Sequence, residues 1–316
     1  MLKYVAIRVA TWAPTLLLIL LGVYAIAFFG AGDPVKLMFV RAPGDIAYDP
    51  ARVEAIREAA GLNKPFFEQF LRYITNLFQG NWGNSLINDR PVWSAISAAA
   101  PVSFQLGVAT IVVTALVAIP LGIISALNQN NRIDYTILTT ALVMWAIPPY
   151  VAGPILMVLA ISLAPIGMTL VGWGGIFDVR FLLPLLVLSL HPIALVTRQT
   201  RAAVIEVMSE DYIRTAYAKG LPSGLIAYKH LTKPVLVPVF TQLGLILISL
   251  VNGAMFVELI FGIPGLGRLA VMATIESDYP VILGVTLIGA VLVMVANLLV
   301  DLAYPLLDPR SKVSRS

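Results

Sequence analysis

The amino-acid sequence predicts an all-α protein that crosses a membrane several times. Hydrophobic residues make up 59% of the 316 residues and charged residues only 12%, and the mean hydropathy is +0.89. Soluble domains carry about 25% charged residues, so this composition leaves too few of them to cover a water-facing surface. The net charge is +4, and the basic residues flank apolar runs, as is typical of membrane proteins. We therefore expect contact with a lipid membrane and no contact with nucleic acid.

Six segments are long and apolar enough to serve as spans. A helix needs about 20 residues to cross roughly 30 Å of hydrocarbon. The segments that meet this requirement are 9–30, 100–128, 136–162, 181–200, 237–261 and 281–303. Several contain proline, which is tolerated where neighbouring helices satisfy the freed carbonyl groups. The sequence accordingly predicts six transmembrane helices.

A polar insert between the first two spans divides the chain into four regions. These are the first transmembrane helix at 1–30, the insert at 31–97, a core of five transmembrane helices at 98–308, and a tail at 309–316. The insert is predicted to be partly helical, with one helix over 50–61 that ends at a glycine. An amphipathic helix with an aromatic face is predicted over Pro65–Phe78. That face is expected to pack within the insert, and docking of an external protein is the alternative.

Lysine and arginine are distributed unequally between the two sides of the membrane. With the N-terminus inside, the inner segments contain twelve of them, and the short outer loops contain only Arg180 and Arg268. Cytoplasmic loops carry such an excess, whereas a long insert is translocated regardless of its charge. Both termini are therefore predicted in the cytoplasm and the insert outside. The first span also resembles a signal peptide, but its apolar run is long for one, and we expect it to be retained.

No motif for catalysis or metal binding is found. The sequence has no GxxxxGK[ST] phosphate loop, no HExxH zinc motif and no GxSxG turn. Cysteine is absent, and the two histidines, His191 and His230, are far apart in the chain. We predict that the chain is not an enzyme, has no catalytic residue, and binds no cofactor or metal. A stand-alone channel or secondary carrier needs intramembrane charges and an inverted repeat, but the spans contain few such charges and show no clear repeat.

The connection between the fourth and fifth spans, Asp211 to Gly244, is the unusual feature of the chain. It begins with an amphipathic, basic segment, although a loop at a membrane edge is expected to be short and polar. Ala216 and Gly220 are four residues apart and are predicted to share a helical face on which another backbone approaches closely. Gly220 also permits a turn. The pattern alone leaves open whether the segment lies on anionic lipid or docks on a protein.

This connection resembles the EAA-type cytoplasmic loop of ABC importer permeases, in the version found in the peptide/nickel branch. The matching residues are Asp211-Tyr212, Arg214-Thr215-Ala216, Ala218-Lys219-Gly220-Leu221, His230 and Val237-Pro238. Arg214 and Thr215 stand where the general motif has Glu and Ala. The resemblance continues, in family order, at Gly32-Asp33-Pro34, Gly80–Ser85, Arg90-Pro91-Val92, Val257-Glu258, Phe261, Pro264–Gly267, Asp278-Tyr279-Pro280, Asp301, Tyr304 and Leu307–Arg310.

The resemblance implies a type I ABC importer permease fold and a set of partners. The cytoplasmic coupling segment is expected at 205–236. Its residues that contact the ATPase are expected to be Asp211, Arg214, Thr215, Ala216, Lys219, Gly220 and Leu221. The implied partners are a second homologous permease, two ATP-binding subunits or one double ATPase, and an extracytoplasmic solute-binding protein. ATP and Mg bind to the ATPase, and the assembly lies in the plasma membrane of a prokaryote.

The resemblance makes di- or oligopeptides the expected cargo, with oligosaccharides, glutathione or nickel chelates as alternatives. Residues expected along the translocation path are His191, Gln242, Asn252 and Glu258, with the fifth span as its main wall. An intramembrane acid such as Glu258 is a functional candidate by default. Three of these residues also have a structural alternative: His191 and Glu258 form only local hydrogen bonds, or Asn252 bridges two helices. Pro234 is expected to shorten or kink the helix that enters the fifth span.

Overall fold

The computed structural model describes residues 2–30, 54, 63–163, 165, 167–226 and 231–307, and within these ranges the chain is helical with no β-strand. The all-α class is therefore confirmed for the described part of the chain. The helices are α1 (Leu2–Gly30), α2 (Phe66–Phe78), α3 (Val92–Leu127), α4 (Arg132–Ala146), α5 (Pro149–Leu163), α6 (Leu182–Met208), α7 (Asp211–Ala218), α8 (Ser223–Ile226), α9 (Thr232–Gly253), α10 (Met255–Ile260), α11 (Leu266–Glu276) and α12 (Tyr279–Leu307). A 3₁₀ turn, Val179–Phe181, precedes α6.

Several sequence-based expectations lie outside the described residues. These are the helix at 50–61 apart from Glu54, the tail at 309–316, the Gly32-Asp33-Pro34 motif and His230.

Four helices in the described ranges are long and apolar enough to cross a membrane. They are Arg8–Phe29, Val92–Leu127, Val179–Met208 and Tyr279–Leu302. A fifth is obtained when α4 and α5 are counted together, and α9 contains a shorter apolar stretch, Pro234–Leu247. A polytopic membrane protein is thus confirmed, with four or five candidate spans by length and composition.

The third predicted span, 136–162, is wrong as a single straight helix. It is divided into α4 and α5, which are bent by 100° relative to each other. Ile147 is extended (φ −93°, ψ 111°) because it precedes Pro148, and a residue before proline is disfavoured in the helical region. Pro148 also precedes a proline, Pro149, so two successive residues resist the helical conformation. The apolar composition is continuous across this break, which is why the sequence indicated one helix.

The fifth predicted span, 237–261, is also divided. Helix α9 ends at Gly253, and after Ala254 the chain continues as the six-residue α10. At the other end, α9 begins at Thr232, so Pro234 lies in the first turn. Amide groups of the first turn have no partner within the helix, so proline is tolerated there. Pro234 therefore marks the start of α9 and does not kink it.

The described chain is divided into two compact units. The first comprises Met1–Pro101 and Pro264–Leu292, and the second comprises Val102–Ile263 and Val293–Ser316. In the first unit α2 packs against α1: Phe70 is buried with Leu20, and the ring of Tyr24 meets the rings of Phe66 and Phe70 edge-on at 5.8 and 5.5 Å. Burial of its ring raises the pKa of Tyr73, also on α2, to about 12. The predicted amphipathic helix is confirmed. Phe66, Phe70 and Tyr73 of its aromatic face pack against α1, whereas Phe67 is 69% exposed.

Two sequence motifs of the first unit meet at a buried carboxylate. Asp278 is only 3% exposed, and its carboxylate accepts hydrogen bonds from the Ser85 hydroxyl (2.5 Å) and the Leu86 amide (3.1 Å). The loop that carries Ser85 is closed by hydrogen bonds from its amide to the Arg90 carbonyl and from Val92 to Gly83. Positive φ angles at Gly80 (79°) and Gly83 (76°) form its turns. The residues 80–92 and 278 thus form one structural element.

Helix α6 is the centre of the second unit. Its buried valines Val187, Val196 and Val204 join Val239 of α9 and Ala118 of α3 in one hydrophobic cluster. Helices α3 and α6 approach most closely at Gly122, where a Cβ atom would lie 2.5 Å from the Thr200 Cβ and 2.7 Å from the Thr197 carbonyl oxygen. Only glycine permits this approach, because the Thr197 oxygen belongs to the backbone and cannot move aside.

We expect Gly122→Ala to destabilise the chain by about 1 to 3 kcal/mol, since it forces α3 and α6 apart. The control is Gly107→Ala in the same helix, where an added Cβ meets nothing within 4 Å. Thermal unfolding of the detergent-solubilised protein should show a melting temperature lowered by several degrees for Gly122→Ala alone. Equal melting temperatures for the two variants would contradict the close approach.

Candidate functional site

Helix α7 follows α6 after a break of two residues, Ser209 and Glu210. Glu210 has an extended backbone (φ −69°, ψ 142°), and its carbonyl accepts the amide of Ile213 at 3.0 Å, which starts the new helix. Asp211 lies in the first turn, where a negative charge is favoured by the helix dipole. Helix α7 therefore begins at Asp211, the first residue of the connection that resembles the EAA-type loop.

One face of α7 is buried against the end of α6. Ile213 (1% exposed) and Ala216 (5%) form a hydrophobic cluster with Ile226 and Leu231, and Val207, Met208 and Leu221 pack against it. We call these seven residues the α7 clamp. Val207 and Met208 belong to the last turn of α6. The clamp therefore fixes α7 against the end of α6.

The predicted face shared by Ala216 and Gly220 is wrong, because α7 ends at Ala218. Gly220 has φ +73°, its amide donates to the Tyr217 carbonyl at 2.9 Å, and the Leu221 amide donates to the Ala216 carbonyl at 3.3 Å. This is a Schellman motif with Gly220 as the left-handed residue. The predicted turn at Gly220 is confirmed. Ala216 belongs to the α7 clamp, so its side chain is covered by other residues of the same chain.

The opposite face of α7 is exposed and polar. Asp211 and Arg214 form an ion pair of 3.6 Å, with side chains 96% and 74% exposed. A surface pair of this kind adds little stability. Thr215 and Lys219 are also exposed, and the Thr215 hydroxyl donates to the Asp211 carbonyl at 2.9 Å. Tyr217 is 46% exposed on this helix. Tyr217 was not among the residues predicted to contact the ATPase. Aromatic residues are enriched in protein interfaces, so its presence among charged residues was a signal for a binding surface.

A buried ion pair lies between α4 and α6. Asp134 is 1% exposed and accepts two hydrogen bonds from Arg201, from Nε to Oδ1 at 2.8 Å and from Nη2 to Oδ2 at 2.7 Å. Its remaining acceptor sites are used by the Ser125 hydroxyl at 2.5 Å and the Asn130 amide at 2.9 Å. The carboxylate is therefore fully hydrogen-bonded, which a buried charge requires. Asn130 adopts φ +61° to make its contact.

Neither member of this pair was predicted as a site. The available signal was a charged residue next to the end of each of two predicted spans, since charges at the edge of apolar segments are often paired. The pair connects the end of α3, the turn after it, α4 and α6. It therefore positions the helix that leads into α7.

Comparison with known protein families agrees with the family that the sequence motifs indicate. The model of the binding-protein-dependent transport system inner membrane component matches residues 118–313, and the model of the N-terminal part of the same transport system membrane component matches 1–107. The chain belongs to this family. The match at 118–313 includes α4, α6, the buried ion pair and the exposed face of α7.

Individual members of the family are similar to the chain over nearly its whole length. The oligopeptide transport system permease protein AppB of Bacillus subtilis is 37% identical over 318 residues, covering 98% of this chain and 99% of the relative. The oligopeptide transport system permease protein OppB of Salmonella typhimurium is 34% identical, with coverage of 98% and 99%. The dipeptide transport system permease protein DppB of Escherichia coli is 32% identical, with coverage of 98% for both chains.

The residues predicted along the translocation path of this family member occupy different environments. His191 is half-buried on α6 and stacks on Trp145 with ring centroids 3.8 Å apart. Glu258 of α10 is fully buried and accepts a hydrogen bond from the Ser103 hydroxyl at 2.5 Å. Gln242 is half-buried on α9. The backbone of Asn252 belongs to α9, and its side chain lies outside the described residues. The role of all four in the path stays a prediction.

A second ion pair orders the loop before α6. Arg180 donates from Nε and Nη2 to the two carboxylate oxygens of Asp178, at 2.8 and 2.9 Å. The hydrogen bonds from Arg180 lower the pKa of Asp178 to about 2. A carboxylate whose pKa is lowered on folding stabilises the fold above its unfolded pKa, and this contribution is lost only as the pH falls toward 2. The loop therefore keeps this pair at every physiological pH.

We expect Arg201→Ala to destabilise the chain by about 3 to 5 kcal/mol, because it leaves the Asp134 carboxylate buried without its guanidinium. The matched control is Arg132→Ala, which removes an exposed arginine from the start of α4 and should change stability by about 0.5 kcal/mol or less. Thermal unfolding in detergent measures both. An Arg201→Ala variant as stable as Arg132→Ala would show that the pair is not a structural constraint.

Proposed function

We propose that this chain is the membrane-spanning permease subunit of an ATP-driven importer of di- or oligopeptides. The observation that carries this proposal is the similarity to peptide permeases at 32 to 37% identity over 98% of the chain. In the proposed arrangement the chain forms half of the translocation path, and a second homologous permease forms the other half. The chain is not an enzyme in this arrangement.

The proposed topology has six spans, in the type I importer fold, within the plasma membrane of a prokaryote. Helices α4 and α5 form the third span, and α9 with α10 forms the fifth. Both termini and α7 lie in the cytoplasm, and α2 lies outside with the rest of the insert. The excess of lysine and arginine in the inner segments supports this orientation.

In the proposed mechanism α7 seats in a cleft of an ATP-binding subunit. Two such subunits, or one double ATPase, bind ATP and Mg, and their closure displaces α7. The α7 clamp transmits this displacement to α6, because Ile213 and Ala216 pack on the last turn of that helix. The spans then open outward, an extracytoplasmic solute-binding protein delivers the peptide, and hydrolysis of ATP resets the assembly. The exposed charged face of α7 supports docking on protein.

The first test is purification of a tagged copy of the chain from its native host. A second permease and an ATP-binding subunit should co-purify with it, and the complex should take up labelled peptide into proteoliposomes when ATP and the binding protein are supplied. Uptake by the chain alone, driven by a proton gradient, would instead identify a secondary carrier. Uptake of an oligosaccharide, glutathione or a nickel chelate, without uptake of peptide, would support the importer function but refute peptide as the cargo.

The second test separates the two faces of α7. We expect Tyr217→Ser to lower peptide-stimulated ATP hydrolysis several-fold while leaving the melting temperature of the chain unchanged, because exposed aromatic residues dominate protein interfaces. Ile213→Ala removes a buried side chain from the α7 clamp and should lower stability by about 2 to 5 kcal/mol. Unchanged stimulated hydrolysis in the Tyr217→Ser complex would count against docking through this face.

A further inference from the structure

Three side chains of different chemistry meet where α4 ends. Trp145 stacks on His191 with centroids 3.8 Å apart and planes inclined by 27°. On the same indole ring, the Cζ atom of Arg198 lies 4.9 Å from the centroid, within cation–π distance. We call Trp145, His191 and Arg198 the α4–α6 triad. Nothing in the coupling mechanism uses this triad.

The guanidinium of Arg198 points into the span and not toward its near end. His191 and Arg198 are seven residues, or about 10 Å of helix, apart on α6. The Arg198 guanidinium lies over the Trp145 ring, and that ring is stacked on His191. The Arg198 side chain therefore extends from its Cα toward the N-terminal end of α6, as helical side chains do. A lipid-facing arginine near the end of a span extends the other way, to reach the interface. Arg198 is therefore held among the helices.

Arg198 differs from the other intramembrane arginine of α6 in having no carboxylate partner. Arg201 is paired with Asp134, but no Asp or Glu oxygen among the described residues lies within 4 Å of the Arg198 guanidinium. Beside it, Nδ1 of His191 is buried and has no hydrogen-bond partner in the described part of the chain. Unpaired polar groups inside a membrane protein are costly, so they mark a position that a ligand or a partner completes.

The triad does not lie in a sealed core. Trp145 is 37% exposed, and it lies two residues before the break at Ile147. Non-helical backbone within the membrane is tolerated only where it is buried in protein or lines a water-filled cavity. The more accessible side of α6 continues from the triad toward the C-terminal end of the helix as a stripe with helical spacing. That stripe comprises His191, Leu195, Arg198, Ala202 and Glu206.

We propose that the α4–α6 triad is a binding site for the terminal carboxylate of a peptide passing through the path. This inference rests on the proposed function. Arg198 supplies two parallel donors that match a carboxylate, and Nδ1 of His191 supplies a further polar contact. Trp145 holds the guanidinium in place through the cation–π contact. Every peptide has this carboxylate whatever its sequence, so such a site serves a carrier of many peptides.

The test uses the complete importer in proteoliposomes and a matched pair of labelled peptides. One peptide has a free C-terminal carboxylate, and the other has the same sequence with a C-terminal amide. Both are supplied at concentrations that saturate the binding protein, so that the variants differ only in the permease step. Arg198→Gln should lower uptake of the free-acid peptide about tenfold or more, the loss typical of removing a charge-assisted hydrogen bond, and should leave uptake of the amide nearly unchanged.

The matched control is Arg132→Gln, which removes an exposed positive charge from α4 and should affect neither peptide. An equal loss of both peptides in Arg198→Gln would overturn the proposal. Loss of the second permease from the purified Arg198→Gln complex would also overturn it, and would identify an acid of that subunit as the partner of Arg198. A wild-type complex that transports neither peptide would refute the proposed function as well. If the wild-type complex transports peptide and Arg198→Gln does not change the preference for the free acid over the amide, only this inference is refuted.

Discussion

The arrangement of the second unit depends on the buried pair of Asp134 and Arg201. A carboxylate that is 1% exposed is stable only while its donors are in place. Those donors come from the end of α3, the turn that follows it and α6. Three helices are thereby held in one register at their common end. The glycine contact at Gly122 acts on the same two helices, α3 and α6, by allowing their backbones to approach.

Helix α6 combines the elements that a coupled transporter needs. Its middle contains His191 and Arg198, its C-terminal half contains Arg201, and its last turn packs on α7 through Val207 and Met208. From His191 to Met208 the helix is about 25 Å long. The α7 clamp holds one end of α6, and the pair with Asp134 holds it nearby. One continuous helix therefore runs from the residues proposed for the path to α7.

Much of the fold follows from local sequence, and the rest depends on pairings between distant residues. The all-α class, helix α2 and the turn at Gly220 were predicted from composition, from the amphipathic pattern and from residue type. The break between α4 and α5 was not predicted, because hydrophobicity indicates the length of an apolar segment but not whether its helix bends. Asp134 and Arg201 are 67 residues apart, so neither charge indicated the other. Ala216 and Gly220 were predicted to share a helical face, but α7 ends between them in a Schellman motif.

The polar groups of this apolar chain indicate where it acts. Each carboxylate that is buried in the described residues accepts a hydrogen bond from a distant segment: Asp134 from α6, Glu258 from α3, and Asp278 from the loop at Ser85. These groups hold the fold together and have little capacity left for a ligand. Arg198 is the opposite case, since it is a charge in the same helix as Arg201 but without a carboxylate within 4 Å in the described part of the chain. Among the described residues, Arg198 is therefore a half-buried cation without the carboxylate partner that Arg201 has, and this difference is the basis for proposing a ligand carboxylate there.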